Sequence, residues 1–221
     1  MNSHQVSWHN LGLVAYGVDD CQFGYERNAV ACTDQMYMDL EKVLMGNPKR
    51  EVTVFGKTHH PTTGKRYTRP RHEATYGKDY IYSGLLIRKE ECSNELVDMV
   101  MEHANMGRAE GAKFTWCLVN LYEHGMHSIG MHRDNEKDVK GGEVRTYSFG
   151  AIRKFIIREF VSKKRKREVS AGGAKAMRVV FSLEHGSCGI MKGEASQTKW
   201  EHGINQEKKI KGSRISITPR M

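Results

Sequence analysis

The chain has 221 residues, with 35 Lys and Arg against 26 Asp and Glu, a net charge of +9, and 38% hydrophobic residues. That length carries one sizeable domain, or one with a short extension, and no apolar run approaches the roughly 18 residues of a membrane span. Cys21, Cys32, Cys92, Cys117 and Cys188 form no C-x-x-C pair and the first residues show no secretory pattern. A disulfide framework or a zinc ribbon is thus disfavoured, and a reducing intracellular setting is the expectation, nucleus or cytoplasm not distinguished.

Residues 1–33 mix Gly, Asn, His and aromatic residues without a period and read as an extension of uncertain order. Met36, Leu40 and Leu44 stand at helical spacing within 34–45, and Gly46-Asn47-Pro48 closes that helix. Val52–Phe55 reads as a strand, and residues 56–72 as a polar, basic loop. Tyr80–Tyr82 is a short strand, and Leu96, Val100 and His103 give a second amphipathic helix over 90–105. From Phe114 onward the pattern changes to short strands between turns, at 114–122, 144–149, 152–160, 176–183, 187–192 and 213–220. Such a run predicts a barrel or a jelly roll. The run Lys163–Arg167 falls between two of these strands, as a solvated hairpin tip, a phosphate-contacting loop or an import signal.

The chemistry centres on His132-Arg133-Asp134. Residues two apart in an extended segment share a face, so His132 and Asp134 can point at one metal. A distant second histidine would complete the two-His, one-carboxylate set that leaves open positions on Fe(II). H-x-D alone is common by chance in a chain with 11 histidines. The C-terminal strand strengthens it: Arg214, Ser216, Thr218 and Arg220 share one face, Ile215, Ile217 and Pro219 the other. A solvated basic strand would look the same, but so would an inward face that grips a dicarboxylate, which the arginine fork suits. Asn120 and Tyr122 repeat the alternation. The basic balance adds a preference for a polyanionic partner, though a merely basic surface would also account for it.

These segments resemble the AlkB family of Fe(II)/2-oxoglutarate-dependent dioxygenases. The resemblance rests on Asn120-Leu-Tyr122, His132-Arg-Asp134, Ser148-Phe149-Gly150, His202 and Arg214-x-x-x-Thr218-x-Arg220, and runs from about residue 34 to the C-terminus. Val54-Phe55-Gly56-Lys57, Pro70-Arg71, Ala74–Gly77, Tyr80-x-Tyr82-Ser83-Gly84 and Glu136 bring it closest to the family's DNA-repair demethylases. The resemblance implies an α+β fold, with a double-stranded β-helix (jelly-roll) core, flanking α-helices and an N-terminal nucleotide-recognition lid. Residues 34–221 would form one domain, with helices and lid in 34–113 and the catalytic core in 114–221.

It also implies roles. His132, Asp134 and His202 would bind Fe(II), His202 being preferred to His185 because it shortly precedes the Arg214 strand. Asn120, Tyr122, Arg214, Thr218 and Arg220 would hold 2-oxoglutarate. Tyr82, with Tyr80, Ser83 and Glu136, would surround a flipped base, and Phe55 would fill the gap it leaves. Arg71 and the 163–167 run would contact phosphates. His124, His127 and His185 read as surface or turn histidines. Asn135 and Ser216 depart from the near relatives and touch on substrate preference and on packing beside the co-substrate.

The implied reaction is oxidative demethylation of bases such as 1-methyladenine and 3-methylcytosine with Fe(II), 2-oxoglutarate and O2, releasing succinate, CO2 and formaldehyde. The expected partner is nucleic acid, DNA or RNA, met by a monomer away from membranes. Two readings compete: a dioxygenase of the same type acting on a protein or small molecule, and a basic nucleic-acid-binding module with a vestigial metal site.

Overall fold

The computed structural model describes residues 4–8, 13–18, 21–49, 51, 59–82, 85–134, 143–160, 177–193 and 195–221. The expected strand at Val52–Phe55 and the basic run at 163–167 lie outside them, as do Phe55, Ser83, Asn135 and Glu136. No helix among the described residues is long and apolar enough to cross a membrane.

Helix α1 (Asp34–Gly46) starts where Thr33 takes the Met36 amide on its hydroxyl, at 3.2 Å. Helix α2 (Glu95–Asn105) starts five residues later than its apolar spacing suggests. Asn94 caps it by accepting from Leu96 and Val97, and Glu90 is held outside by its amide's bond to the Thr75 carbonyl. Leu40, Leu44, Leu96 and Val100 are fully buried. At roughly 1.5–3 kcal/mol each, their burial outweighs intrinsic helix propensity in fixing both helices.

The strands are β1 (His4–Trp8), β2 (Leu13–Val18), β3 (Cys21–Glu26), β4 (His72–Tyr76), β5 (Tyr80–Tyr82), β6 (Leu85–Ile87), β7 (Trp116–Tyr122), β8 (Ile129–His132), β9 (Glu143–Gly150), β10 (Arg153–Glu159), β11 (Arg178–Leu183), β12 (Ser187–Lys192), β13 (Trp200–Ile204) and β14 (Arg214–Arg220). Eight form a major sheet in the order β1-β2-β3-β12-β9-β14-β7-β4. Four form a minor sheet, β11-β10-β13-β8, while β5 and β6 pair as a hairpin. Both larger sheets are antiparallel throughout, and the pair is the jelly-roll core.

Alternation along the central strands separates two environments. Val119, Leu121, Ile215, Ile217, Tyr147 and Phe149 turn outward and pack with α1 and α2 into one core cluster. The opposite face of the same strands is polar. Glu73, Asn120, Ser216, Ser148 and Ser187 are successive cross-strand partners, one polar rung across β4, β7, β14, β9 and β12. All five are buried. Burying such a row costs stability unless each group finds a partner, so the rung marks where the sheet does something other than pack. A second apolar cluster, including Phe23, Phe155, Ile157, Leu183 and Trp200, closes the rest of the space between the sheets.

Within residues 1–33, read as an extension of uncertain order, strands β1, β2 and β3 are formed. Strand β3 pairs with β12 from Gln22–Lys192 to Glu26–Cys188 and so extends the major sheet. Cys21 and Phe23 are buried while Gln22 is exposed, but Gly24 breaks the apolar-polar rhythm. The partner strand lies more than 160 residues away in sequence, so no local pattern could announce it.

Candidate active site

Strand β8 ends on His132, and its Cα partner across the minor sheet is His202 of β13. The two imidazoles lie with ring centroids 4.4 Å apart. Asp134, just beyond β8, turns its carboxylate between them: Oδ1 is 3.6 Å from His132 Nε2 and Oδ2 is 3.6 Å from His202 Nε2. One ligand atom from each side chain lies within 4.8 Å of the other two, the metal-capable group found among the described residues. Gly203 permits the close approach of the strands. A Cβ there would stand 2.9 Å from the Ile129 carbonyl oxygen and 3.0 Å from that of Gly130.

The protonation states suit a metal. His132 Nδ1 lies 2.8 Å from the Gly130 carbonyl. A carbonyl only accepts, so Nδ1 carries a proton and Nε2 is the nitrogen turned toward the group. Burial pushes the His202 imidazole down to about 4, with help from the charges of His132 and Arg220 and against the pull of Asp134. His202 is therefore neutral at physiological pH. Burial opposes the charge on Asp134, but Arg220, His202 and His132 outweigh it and hold the carboxyl well below the usual carboxylate range.

A cavity of about 330 Å³ opens beside this group, lined by Asn120, Tyr122, Thr218 and Arg220 as well as by the three candidate ligands. Arg220 Nη2 donates to Asp134 Oδ2 at 2.8 Å, tying β14 to the metal group. Arg214 lies behind the Tyr122 ring, its guanidinium carbon 5.4 Å from the ring centroid, and is fully buried. Its Nε donates to Ser148 Oγ at 2.7 Å. Burial pushes its guanidinium down to about 10, and Arg153 adds to the effect.

Arg214 Nη1 and Nη2 and Arg220 Nη1 are buried without a hydrogen-bond partner among the described residues. Buried polar atoms are nearly always paired. Three unpaired guanidinium nitrogens on one strand face fit an anion, and arginines near both ends of β14 fit one with two carboxylates. The donor set and the orphaned nitrogens thus match both a ferrous ion and 2-oxoglutarate.

The sites expected for a base are placed unevenly. Tyr80 lines the cavity and packs on Trp116, ring centroids 5.0 Å apart. Tyr82 ends the same strand. Arg71, expected on phosphate, is instead only 8% exposed and turned inward, donating to Asn120 and Glu73. His185 sits in the turn between β11 and β12 and takes the Gly150 amide at 3.1 Å, away from the metal group. His127 lies in a turn as expected, but is buried. Arg69 and Glu73 also line the cavity and escaped the sequence reading. Their signal was Arg69, Arg71 and Glu73 at every second position, a strand-like charged face that begins in the segment read as loop and ends just beyond it.

Two imidazoles and one carboxylate leave half of an octahedral coordination sphere free, the arrangement of non-haem Fe(II) oxygenases. Residues 30–220 match the 2OG-Fe(II) oxygenase superfamily. The chain is 30% identical over 196 residues to the DNA oxidative demethylase ALKBH2 of Homo sapiens, covering 85% of this chain and 67% of that protein. With the Mus musculus protein of the same name it shares 31% over 198 residues, covering 85% and 74%. The solved structure of OsALKBH1 superposes with a TM-score of 0.54 at 14% identity, over 90% of this chain and 96% of that one. A prolyl hydroxylase from Trichoplax adhaerens, in complex with a hypoxia inducible factor peptide, gives 0.52 at 13% identity, over 90% and 82%. These two likenesses concern the fold alone. The chain belongs to the AlkB family of 2OG-Fe(II) oxygenases, and is with it an Fe(II)- and 2-oxoglutarate-dependent dioxygenase.

Proposed function

We propose that this chain oxidatively removes methyl groups from N-alkylated nucleic-acid bases, 1-methyladenine and 3-methylcytosine among them. The observation that carries the reading is the meeting, in one cavity, of the His132–Asp134–His202 group with Arg220, one of whose buried nitrogens has no partner among the described residues, and with Tyr122, behind which Arg214 is buried. The relatives named DNA oxidative demethylase give the substrate class. Fe(II), when bound, supplies the oxidising chemistry with 2-oxoglutarate and O2, and succinate, CO2 and formaldehyde leave.

The chain's own residues bind, orient and exclude water. His132, Asp134 and His202 hold the metal. Arg214, Thr218 and Arg220, with Asn120 and Tyr122, take the dicarboxylate. Tyr80 lines the cavity beside the metal group, and Tyr82, Ser83, Glu136 and Phe55 are assigned to the flipped base and its gap by the resemblance alone. An unstacked base recovers roughly 1–3 kcal/mol from an aromatic platform, comparable with the few kcal/mol that leaving a duplex costs.

The test is mass spectrometry of a 1-methyladenine oligonucleotide after incubation with Fe(II), 2-oxoglutarate and ascorbate, as single-stranded DNA, duplex DNA and RNA. Loss of the methyl group with wild type and not with His132→Ala is the expected result. Succinate formed with every oligonucleotide left methylated would overturn the substrate class, and no succinate at all would overturn the metal site.

A further inference from the structure

Asn120 on β7 receives on Oδ1 the Nε–H of Arg71, at 3.0 Å. A guanidinium only donates, so the amide oxygen must be the atom that meets it. The side-chain NH2 is thereby left for the cavity that Asn120 lines. Arg71 is itself held, Nη2 to Glu73 Oε1 at 2.7 Å, and Arg69 grips both oxygens of Glu73, at 2.8 and 2.7 Å. Glu73 and Asn120 are Cα partners across β4 and β7, so the chain of bonds is anchored on the polar rung itself.

We propose that Arg71, set by Glu73 and Arg69, is a positioning residue that fixes the Asn120 amide with its donor side toward a carboxylate of 2-oxoglutarate. The inference rests on the cavity being the co-substrate site. An asparagine amide has two faces of opposite polarity, and flipped it would present its oxygen to a dianion in a buried site. Arg71 removes that choice. Two guanidiniums against one carboxylate also leave the trio net positive, which favours an anion nearby.

The geometry makes the test feasible. With Arg71 removed, Glu73 keeps both oxygens on Arg69, so no buried carboxylate is left uncompensated. Affinity for 2-oxoglutarate is measured by anaerobic titration of the Fe(II)-loaded protein, followed by absorbance, for wild type, Arg71→Met, Arg71→Lys, Asn120→Ala and the double variant Arg71→Met/Asn120→Ala. Lys keeps the charge but lacks the planar fork.

Both single Arg71 variants are expected to bind 2-oxoglutarate about tenfold more weakly, the size of one charge-assisted hydrogen bond. Fe(II) affinity should stay within about twofold of wild type. In the Asn120→Ala background, Arg71→Met should add less than about twofold, because its route is already gone. Wild-type affinity in Arg71→Lys, or an undiminished effect of Arg71→Met without Asn120, overturns the inference while the cavity assignment stands. Wild-type protein that fails to take 2-oxoglutarate overturns both.

Discussion

Arg214 offers a prediction in which function and stability move in opposite directions. Its guanidinium is fully buried, two of its nitrogens have no hydrogen-bond partner among the described residues, and burial pushes it down to about 10. At pH 7 the group is charged both folded and unfolded. A folded-state value below the unfolded one means that folding the charged form is penalised, fully so below about 10, with relief only at higher pH. The displacement corresponds to about 3 kcal/mol against the ligand-free fold. Arg214→Met removes that penalty with a side chain of similar length, but loses the bond to Ser148, worth about 1 kcal/mol. The net gain of about 2 kcal/mol should raise the melting temperature by roughly 4–8 °C for a chain of this size. Wild type, in turn, should gain about 2.7 kcal/mol from 2-oxoglutarate at a hundred times its Kd, and the variant nothing. Differential scanning calorimetry with Mn(II), with and without 2-oxoglutarate, measures both. A variant that melts below wild type without ligand, or keeps the ligand-dependent rise, would refute the reasoning.

Gly203→Ala should force β8 and β13 apart, since its Cβ would meet backbone oxygens at 2.9 and 3.0 Å. The expected result is a loss of about 1–3 kcal/mol in urea unfolding and at least tenfold weaker Fe(II) binding by calorimetric titration. Arg153→Met removes a buried guanidinium that donates to the carbonyls of His127 at 2.9 Å and Asn205 at 2.7 Å and to Glu207 at 3.2 Å. It should cost about 3–5 kcal/mol in the same unfolding assay. His202, pushed down to about 4, stays neutral in the metal-free fold while the unfolded chain takes up a proton near 6.5. Metal-free stability should thus be full above pH 6.5 and fall by about 3 kcal/mol toward pH 4. His202→Gln should flatten that slope in denaturation series run across the pH range.

The residues that sequence patterning located are those whose neighbours in the chain also face the site. His132 and Asp134 announce each other, and the alternation in β14 displays Arg214, Thr218 and Arg220 on one side. Strand β12 was legible to the residue because turns bound it on both sides. Legibility ended where a contact is set by pairing rather than by local rhythm. Strand β4, with all five residues buried, shows no alternation. Strands β8 and β13 are short, and pair irregularly between His202 and Ile204. Arg153 sits in an apolar strand pattern, and only the convergence of the 124–127 turn and residues 205–207 on its guanidinium explains its burial. The inward turn of Arg71 depends likewise on Glu73, Asn120 and Arg69 meeting across two strands.

The candidate metal ligands belong to the minor sheet and the segment that leaves it, while the dicarboxylate groups belong to the major sheet. The ion pair between Arg220 and Asp134 spans the gap between them. Each half of the reaction centre therefore sits on its own scaffold, and that bridge is the polar link between them, beside the apolar cluster that packs the two sheets together. Such a division lets the metal's surroundings and the co-substrate grip be altered separately, with the Arg220–Asp134 contact as the place where a change in one grip is felt directly by the other.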